Sequence, residues 1–213
     1  MSSSSYPDLI RELQTFVPLG LYRKDRPVIF RYLCRKALAL QVFGRPSGDR
    51  FIEVGFGLGD WMLTLADFGL TGVGVDLSPE AVSKMREVVR ASKRNLEILC
   101  GDIMEVEIHE QFDWVFAFEV LEHLEDDEVG IRRLANLSKP NGKILLSVPA
   151  HMRYWTRHDE AAGHFRRYER ADLIQKLSRN GFRVDLAWCY GFPLSNLLGH
   201  FRSFAAPELR GLE

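Results

Sequence analysis

FIEVGFGLGDWM, residues 51–62, begins as an apolar run, carries an acid at Glu53 and then places glycine at 55, 57 and 59 before a helical pattern resumes. A short apolar run that ends in a glycine turn and opens a helix reads as the first strand-turn-helix unit of a parallel sheet. Outward from it, strand-like runs recur at 71–77, 96–102, 112–119, 142–150 and 182–191. Most are nearly continuous in hydrophobicity, as strands covered on both faces are. Helical patterns lie near 59–68, 79–92, 126–138 and 170–180. Ser78 and Pro79 offer an N-cap and a first-turn residue, and the glycines of KPNG and RNG offer left-handed C-caps to the later two helices. The alternation predicts an α/β fold, a doubly wound, mostly parallel sheet.

The 213 residues, 46% hydrophobic and 27% charged, suit one globular unit with decorations. The expected division is a leader and packing helices over 1–47, the sheet domain over 48–192 and a helical extension over 193–213. A net charge of −1 advertises no polyanionic partner, so nucleic acid is not favoured. The three cysteines, Cys34, Cys100 and Cys189, read as buried free thiols of a reducing compartment. MSSSSYPDLI lacks the charged and apolar regions of a secretory signal, and no run approaches the ~18 apolar residues of a membrane span. The expected location is cytoplasmic.

In such a sheet, ligands bind outside the carboxyl ends of the strands. Gly55, Gly57 and Gly59 let backbone N–H groups approach a ligand there. Asp76 ends the second strand, about 20 residues on, where a carboxylate accepts hydrogen bonds from ribose hydroxyls. Turn and acid together point to a nucleoside ligand. The dinucleotide pattern asks for a third glycine at position 60, which is Asp60 here, and a pyrophosphate would be repelled by Glu53. A carboxylate at Glu53 suits a cationic nucleoside instead. S-adenosyl-L-methionine, with a sulfonium and an ammonium and no phosphate, meets that requirement.

EVGFGLG with GVGVDLS resembles the first two motifs of the class I S-adenosylmethionine-dependent methyltransferases. CGDI, FDWVFAFEVLEHL and LSKPNGKILLSVP are similar to its later strand motifs, so the likeness spans roughly residues 48–192. It implies a methyl-transferring enzyme, with S-adenosyl-L-homocysteine as product. Glu53, Gly55, Gly57, Gly59, Asp76, Leu77, Gly101, Asp102, Ile103 and Glu119 would line the cofactor. EVLEH resembles the ubiquinone-biosynthesis and type 11/12 small-molecule group, and implies Glu122 and His123 as catalytic residues at the pocket mouth. Carboxylates beside an imidazole suit proton removal; a divalent cation there is the less favoured alternative, and no metal ligand is assigned. The same residues also read as an acidic helix start.

HMRYWTRHDEAAGHFRRYER, residues 151–170, holds three histidines and five arginines. It resembles a loop that lies over the acceptor pocket in bacterial members of the group. On that reading His158, Asp159, His164, Arg166, Arg167 and Tyr168 face the acceptor, and an arginine fork would meet an anionic group on it. A salt-bridged structural loop is the other reading. The expected acceptor is a small or lipid-linked metabolite methylated on oxygen or nitrogen. The rival readings are a binding module that transfers nothing and a nicotinamide-dependent oxidoreductase. The family's seventh strand has no counterpart after residue 192, so it is expected to be missing or rebuilt, and the apolar stretch from Gly191 could cap the acceptor or a second copy in a homodimer.

Overall fold

A computed structural model describes residues 29–43 and 49–190. Helix α1 (Ile29–Phe43) precedes β1 (Arg50–Val54), α2 (Asp60–Asp67), β2 (Thr71–Asp76), α3 (Pro79–Ser92), β3 (Leu96–Cys100) and β4 (Phe112–Phe118). A 3-10 turn, Leu121–His123, leads to α4 (Asp127–Leu137), β5 (Ser138–Ser147), the short α5 (Arg157–Ala161) and α6 (Arg170–Arg179). The five strands are all parallel and run in the order β3-β2-β1-β4-β5. Chain order reverses between β1 and β4, so a crevice opens at their carboxyl ends.

Alternation along each strand sorts side chains to two faces. Phe51, Trp114 and Phe116 pack with Ala39 and Phe43 of α1, Trp61, Met62 and Leu65 of α2, and Val82 and Met85 of α3. Ile52, Val54, Val115 and Ala117 pack the other way, against Leu121, Ile131 and Leu134, with Leu173 and Leu177 of α6 at the margin. Helices therefore cover both faces, as the continuous apolar runs require. Glu53 shares the face of Phe51 and points toward α1 and α2. Gly74 is fixed by packing: a Cβ there would stand 2.2 Å from the Met62 sulfur.

The predicted caps of α3 are present, with Ser78 accepting from the Ala81 N–H at 3.2 Å and Pro79 at the first position. Gly181 takes positive φ after α6 as expected, but after α4 that conformation falls to Asn141 (φ 65) and not to Gly142. β5 starts four residues before the predicted 142, because Ser138 pairs with Phe112 and the register shifts before Lys143 meets Trp114. The predicted strand at 182–191 is a correction. Residues 182–190 belong to no strand, and Leu186 and Trp188 are half exposed. An extended run becomes a strand only where a neighbour supplies the ladder. The cysteines are also corrected: they are free, yet Cys100 and Cys189 are exposed. Position 191 and the predicted helix at 193–205 lie outside the described residues, as do the leader and positions 44–48.

Candidate active site

The glycine turn after β1 folds onto the end of β2. Gly55, Gly57 and Gly59 all have positive φ, between 54 and 68. The Gly55 N–H donates to the Val75 carbonyl (2.8 Å), and the Gly57 N–H to Asp76 Oδ2 (2.7 Å). Asp76 Oδ1 accepts from the Ser78 N–H at 2.8 Å, so one carboxylate orders both turns and keeps lone pairs for a ligand. Among the described residues, no atom beyond its chain neighbours lies within 4 Å of where a Gly57 Cβ would stand, which leaves the turn's backbone open to approach. Leu77 beside it is 68% exposed, an apolar platform at the rim. Gly101 donates to the Asp76 carbonyl (3.0 Å), Asp102 Oδ1 accepts from the Met104 N–H (2.8 Å), and Ile103 is buried beneath them.

Glu53 is 4% exposed and accepts from the Met62 N–H at 3.1 Å. Burial pushes its carboxyl up to about 8, against the pull of Arg35, the Met62 N–H and Lys36. A buried proton-holding carboxyl is ready to ionise against an arriving cation. Folded Glu53 holds its proton more tightly than the unfolded chain does, so its stabilising contribution is complete below pH 4.5 and is lost as pH rises to about 8. A cationic ligand should therefore release protons on binding near pH 7. Calorimetry in buffers of different ionisation heat reads this directly; buffer-independent heats would remove Glu53 from the site.

Helix α1 contributes residues that no sequence motif marked. Tyr32, Arg35 and Lys36 join Glu53, Gly55, Asp60, Trp61 and Phe118 around a cavity of about 40 Å³. Lys36 Nζ donates to Asp60 Oδ2 at 3.2 Å, both side chains being buried. Burial lowers Lys36 to about 8 and raises Asp60 to about 7. Arg35 lies over the Phe118 ring (5.0 Å) and 3.8 Å from Glu119.

Glu119 follows β4 with a positive φ of 56, a strained backbone for a residue with a side chain. Its Oε1 accepts from Ser147 at 2.8 Å and from the Tyr190 hydroxyl at 3.4 Å. The next residue, Val120, stands where a Gly55 Cβ would come within 2.7 Å, so the glycine turn abuts the segment that carries Glu122 and His123. Glu122 is fully buried. Glu122, His123 and His164 offer ligand atoms all within 4.8 Å of one another, and the two rings meet edge to face with centroids 4.6 Å apart. Partial burial, then the nearby His164, lower the His123 pKa from 6.5. A neutral imidazole there is an acceptor for a proton.

The rest of the 151–170 loop is tied inward. Asp159, 1% exposed, receives Arg167 through Nε (2.9 Å) and Nη2 (2.8 Å), Thr156 through N–H and hydroxyl, and the His164 Nδ1 at 3.0 Å. Burial would raise this carboxyl, but the hydrogen bonds from Arg167 and Thr156 outweigh it and hold it well below the usual range. Arg166 reaches Asp127 at 3.1 Å and the Glu125 carbonyl, and the buried Tyr168 hydroxyl donates to Asp127 at 2.9 Å. Lys176 completes the Asp127 cluster at 2.6 Å. Both arginine forks thus have internal acceptors, and Asp159 and Tyr168 are buried among them. His158 is exposed and outside the cluster. Arg167→Ala would leave Asp159 buried without its fork, a loss of about 3 kcal/mol read by urea denaturation; unchanged stability would return Arg167 to the pocket.

A family profile described as "Methyltransferase domain" matches residues 22–187. A ubiquinone biosynthesis O-methyltransferase of Bradyrhizobium diazoefficiens is 32% identical over 102 residues, covering 48% of this chain and 40% of that protein. One from Xanthomonas axonopodis pv. citri is 32% identical over 105 residues, 48% of this chain and 44% of that protein. The chain thus spans under half the length of these curated relatives. Among solved structures, a phosphoethanolamine N-methyltransferase of Haemonchus contortus in complex with S-adenosyl-L-methionine superposes with a TM-score of 0.64 and 22% identity, over 82% of this chain and 43% of that one. An S-adenosylmethionine-dependent methyltransferase from Clostridium acetobutylicum gives 0.56 and 15%, over 67% and 77%. At those identities the likeness is one of fold. The family match, the five-stranded parallel sheet and the glycine-Asp76 turn agree, and the chain belongs to the methyltransferase domain family, with the class I S-adenosylmethionine-dependent fold.

Proposed function

We propose that the chain transfers a methyl group from S-adenosyl-L-methionine to an oxygen or nitrogen of a small or lipid-linked metabolite. The observation that carries this is the contact of the Gly55 turn with Val120, which joins a nucleoside-binding turn to the Glu122-His123-His164 cluster. The residues fit the donor: Asp76 retains free lone pairs, the space over Gly57 is open, and Glu53 is a buried carboxyl suited to a cation. When bound, the donor supplies an electrophilic methyl carbon on its sulfonium.

The chain's part is to bind, orient and deprotonate. Asp76 accepts from the ribose hydroxyls, and the Gly55–Gly59 backbone and Glu53 hold the charged end. Glu119, with Gly101, Asp102, Ile103 and Leu77, closes the cofactor side of the crevice. His123 takes the proton of the attacking hydroxyl or amine, with buried Glu122 and His164 beside it and the Glu119 charge favouring the imidazolium that forms. The ubiquinone-biosynthesis relatives favour a ring-bearing acceptor, and the exposed Phe165 and Met152 offer an apolar rim. The domain limits of 48–192 widen on this reading, since α1 lines the donor cavity.

The test is methyl transfer from labelled donor to small-molecule and lipid-extract fractions. Donor binding with no labelled product would make the chain a binding module. A second reading rests on the donor set of the same cluster, whose carboxylate and two imidazoles also suit a divalent cation. Turnover abolished by a chelator and restored by Mg²⁺ would establish it, and turnover indifferent to the chelator would exclude it.

A further inference from the structure

His164 Nδ1 stands 3.0 Å from Asp159 Oδ1, the geometry of an imidazole oriented by a carboxylate. Asp159 is 1% exposed and already accepts twice from the Arg167 fork and twice from Thr156. Those donors keep it ionised, and an ionised carboxylate can only accept. The proton between the two side chains therefore sits on Nδ1, which leaves the lone pair of a neutral His164 on Nε2.

His123 is constrained in the same way, from one residue earlier in the loop. Its ring shares a hydrogen bond with the Gly163 backbone that favours the protonated imidazole, the sign of a bond to a carbonyl. A carbonyl too can only accept. One nitrogen of His123 thus holds its proton toward Gly163, and the other is left as the single acceptor. Which nitrogen of a histidine is the base is set by the bond that the other one makes.

Both contacts come from one closed turn. Thr156 and Asp159 form a capping box that starts α5, the Gly163 N–H returns to the Glu160 carbonyl (3.0 Å), and the His164 N–H returns to the Asp159 carbonyl (2.9 Å). Gly163 has φ 75, a left-handed conformation that glycine takes without strain. Beyond His164, the Phe165 N–H donates to the Glu122 carbonyl at 2.8 Å and fastens the turn to the segment that carries His123.

We propose that Asp159 and His164 are positioning residues for the proton-removing imidazole: their bond locks the turn that aims the Gly163 carbonyl at His123, so that His123 presents one nitrogen, in one tautomer, to the acceptor. This rests on the reading of His123 as the base, which a third group has to orient.

Nitrogen NMR of the histidine side chains tests it in the full chain, on native protein, His164→Asn and His164→Leu, at a pH above the imidazole range. The two replacements have nearly the same shape and both remove the imidazole, but only the asparagine amide can donate to Asp159. Native protein should show His164 protonated on Nδ1 and His123 in a single tautomer. His164→Asn should keep the His123 pattern, and His164→Leu should bring its two nitrogens to the averaged shift of a ring that exchanges tautomers. Transfer of labelled methyl from S-adenosyl-L-methionine to the small-molecule extract should fall less than about threefold in His164→Asn and roughly tenfold or more in His164→Leu, since a displacement of ~1 Å can cost about 10²-fold. Donor affinity should be unchanged in both. His164 protonated on Nε2 in native protein, or a His123 pattern that both variants leave alone, would overturn the proposal and leave His123 standing as the base. Equal losses of transfer in the two variants would make His164 itself a proton carrier and overturn it as well. The expected tautomers in a protein that transfers no methyl group would count against the base reading instead, and remove the proposal with it. Should His164→Leu fail to fold, the native spectrum decides: Nδ1–H on His164 with one His123 tautomer supports the proposal, and any other pattern refutes it.

Discussion

Replacing Asp76 with alanine will weaken S-adenosyl-L-methionine binding roughly ten- to a hundredfold, because each hydrogen bond to a charged acceptor is worth ~1.5–3 kcal/mol. The effect has two sources in the structure. On the proposed donor reading the carboxylate offers its remaining lone pairs to the ribose, and its Oδ2 holds the Gly57 N–H at 2.7 Å, so alanine both removes an acceptor and loosens the turn. Asp76→Asn separates them. It keeps one oxygen in place, and it should lose less affinity than the alanine variant. Calorimetry on variants with native circular dichroism makes the measurement. Affinity unchanged in a folded Asp76→Ala would place the nucleoside elsewhere.

The second large effect concerns turnover. His123→Ala should lower it about 10²-fold or more if the imidazole removes the acceptor's proton, with donor affinity little changed. Because burial and His164 depress the His123 pKa, native turnover should rise with pH through a transition below 6.5 and then hold level. The sign follows from the role: the base acts when deprotonated, and deprotonation is favoured here. A variant with native turnover, or a native profile flat through that range, would release His123 from the chemistry.

What the sequence could announce was what chemistry writes locally. The glycine turn, Glu53 and Asp76 lie within 24 positions, and each declares itself through backbone freedom, a strand end or a charge in an apolar run. The doubly wound parallel sheet follows from alternation and the family likeness. Arg35 and Lys36 escaped notice because they sit on an amphipathic helix, where a basic residue ordinarily means a solvated face. Only folding brings Lys36 against Asp60, 24 residues away. For the arginines of the 151–170 loop, number alone suggested a ligand, while the internal partners that the fold gives them, Asp127 and Asp159, are acids whose burial no local pattern reveals. The run at 182–191 has strand composition throughout, but composition cannot provide the neighbour that a ladder needs.

The reversal of strand order between β1 and β4 divides the chain as well as the sheet. Apart from Phe118 and Glu119, the groups assigned to the donor come from α1 to the turn after β3, while the proton-handling cluster and its loop follow β4. The two tasks occupy consecutive stretches of one polypeptide, joined by the segment between Ile103 and Phe112. A genetic crossover in that joint would exchange acceptor chemistry in a single event and keep the donor machinery apart from Phe118 and Glu119. The fold is therefore suited to diversification by recombination: new acceptors can be acquired as cassettes, with the Gly55–Val120 contact as the seam that each new cassette has to match.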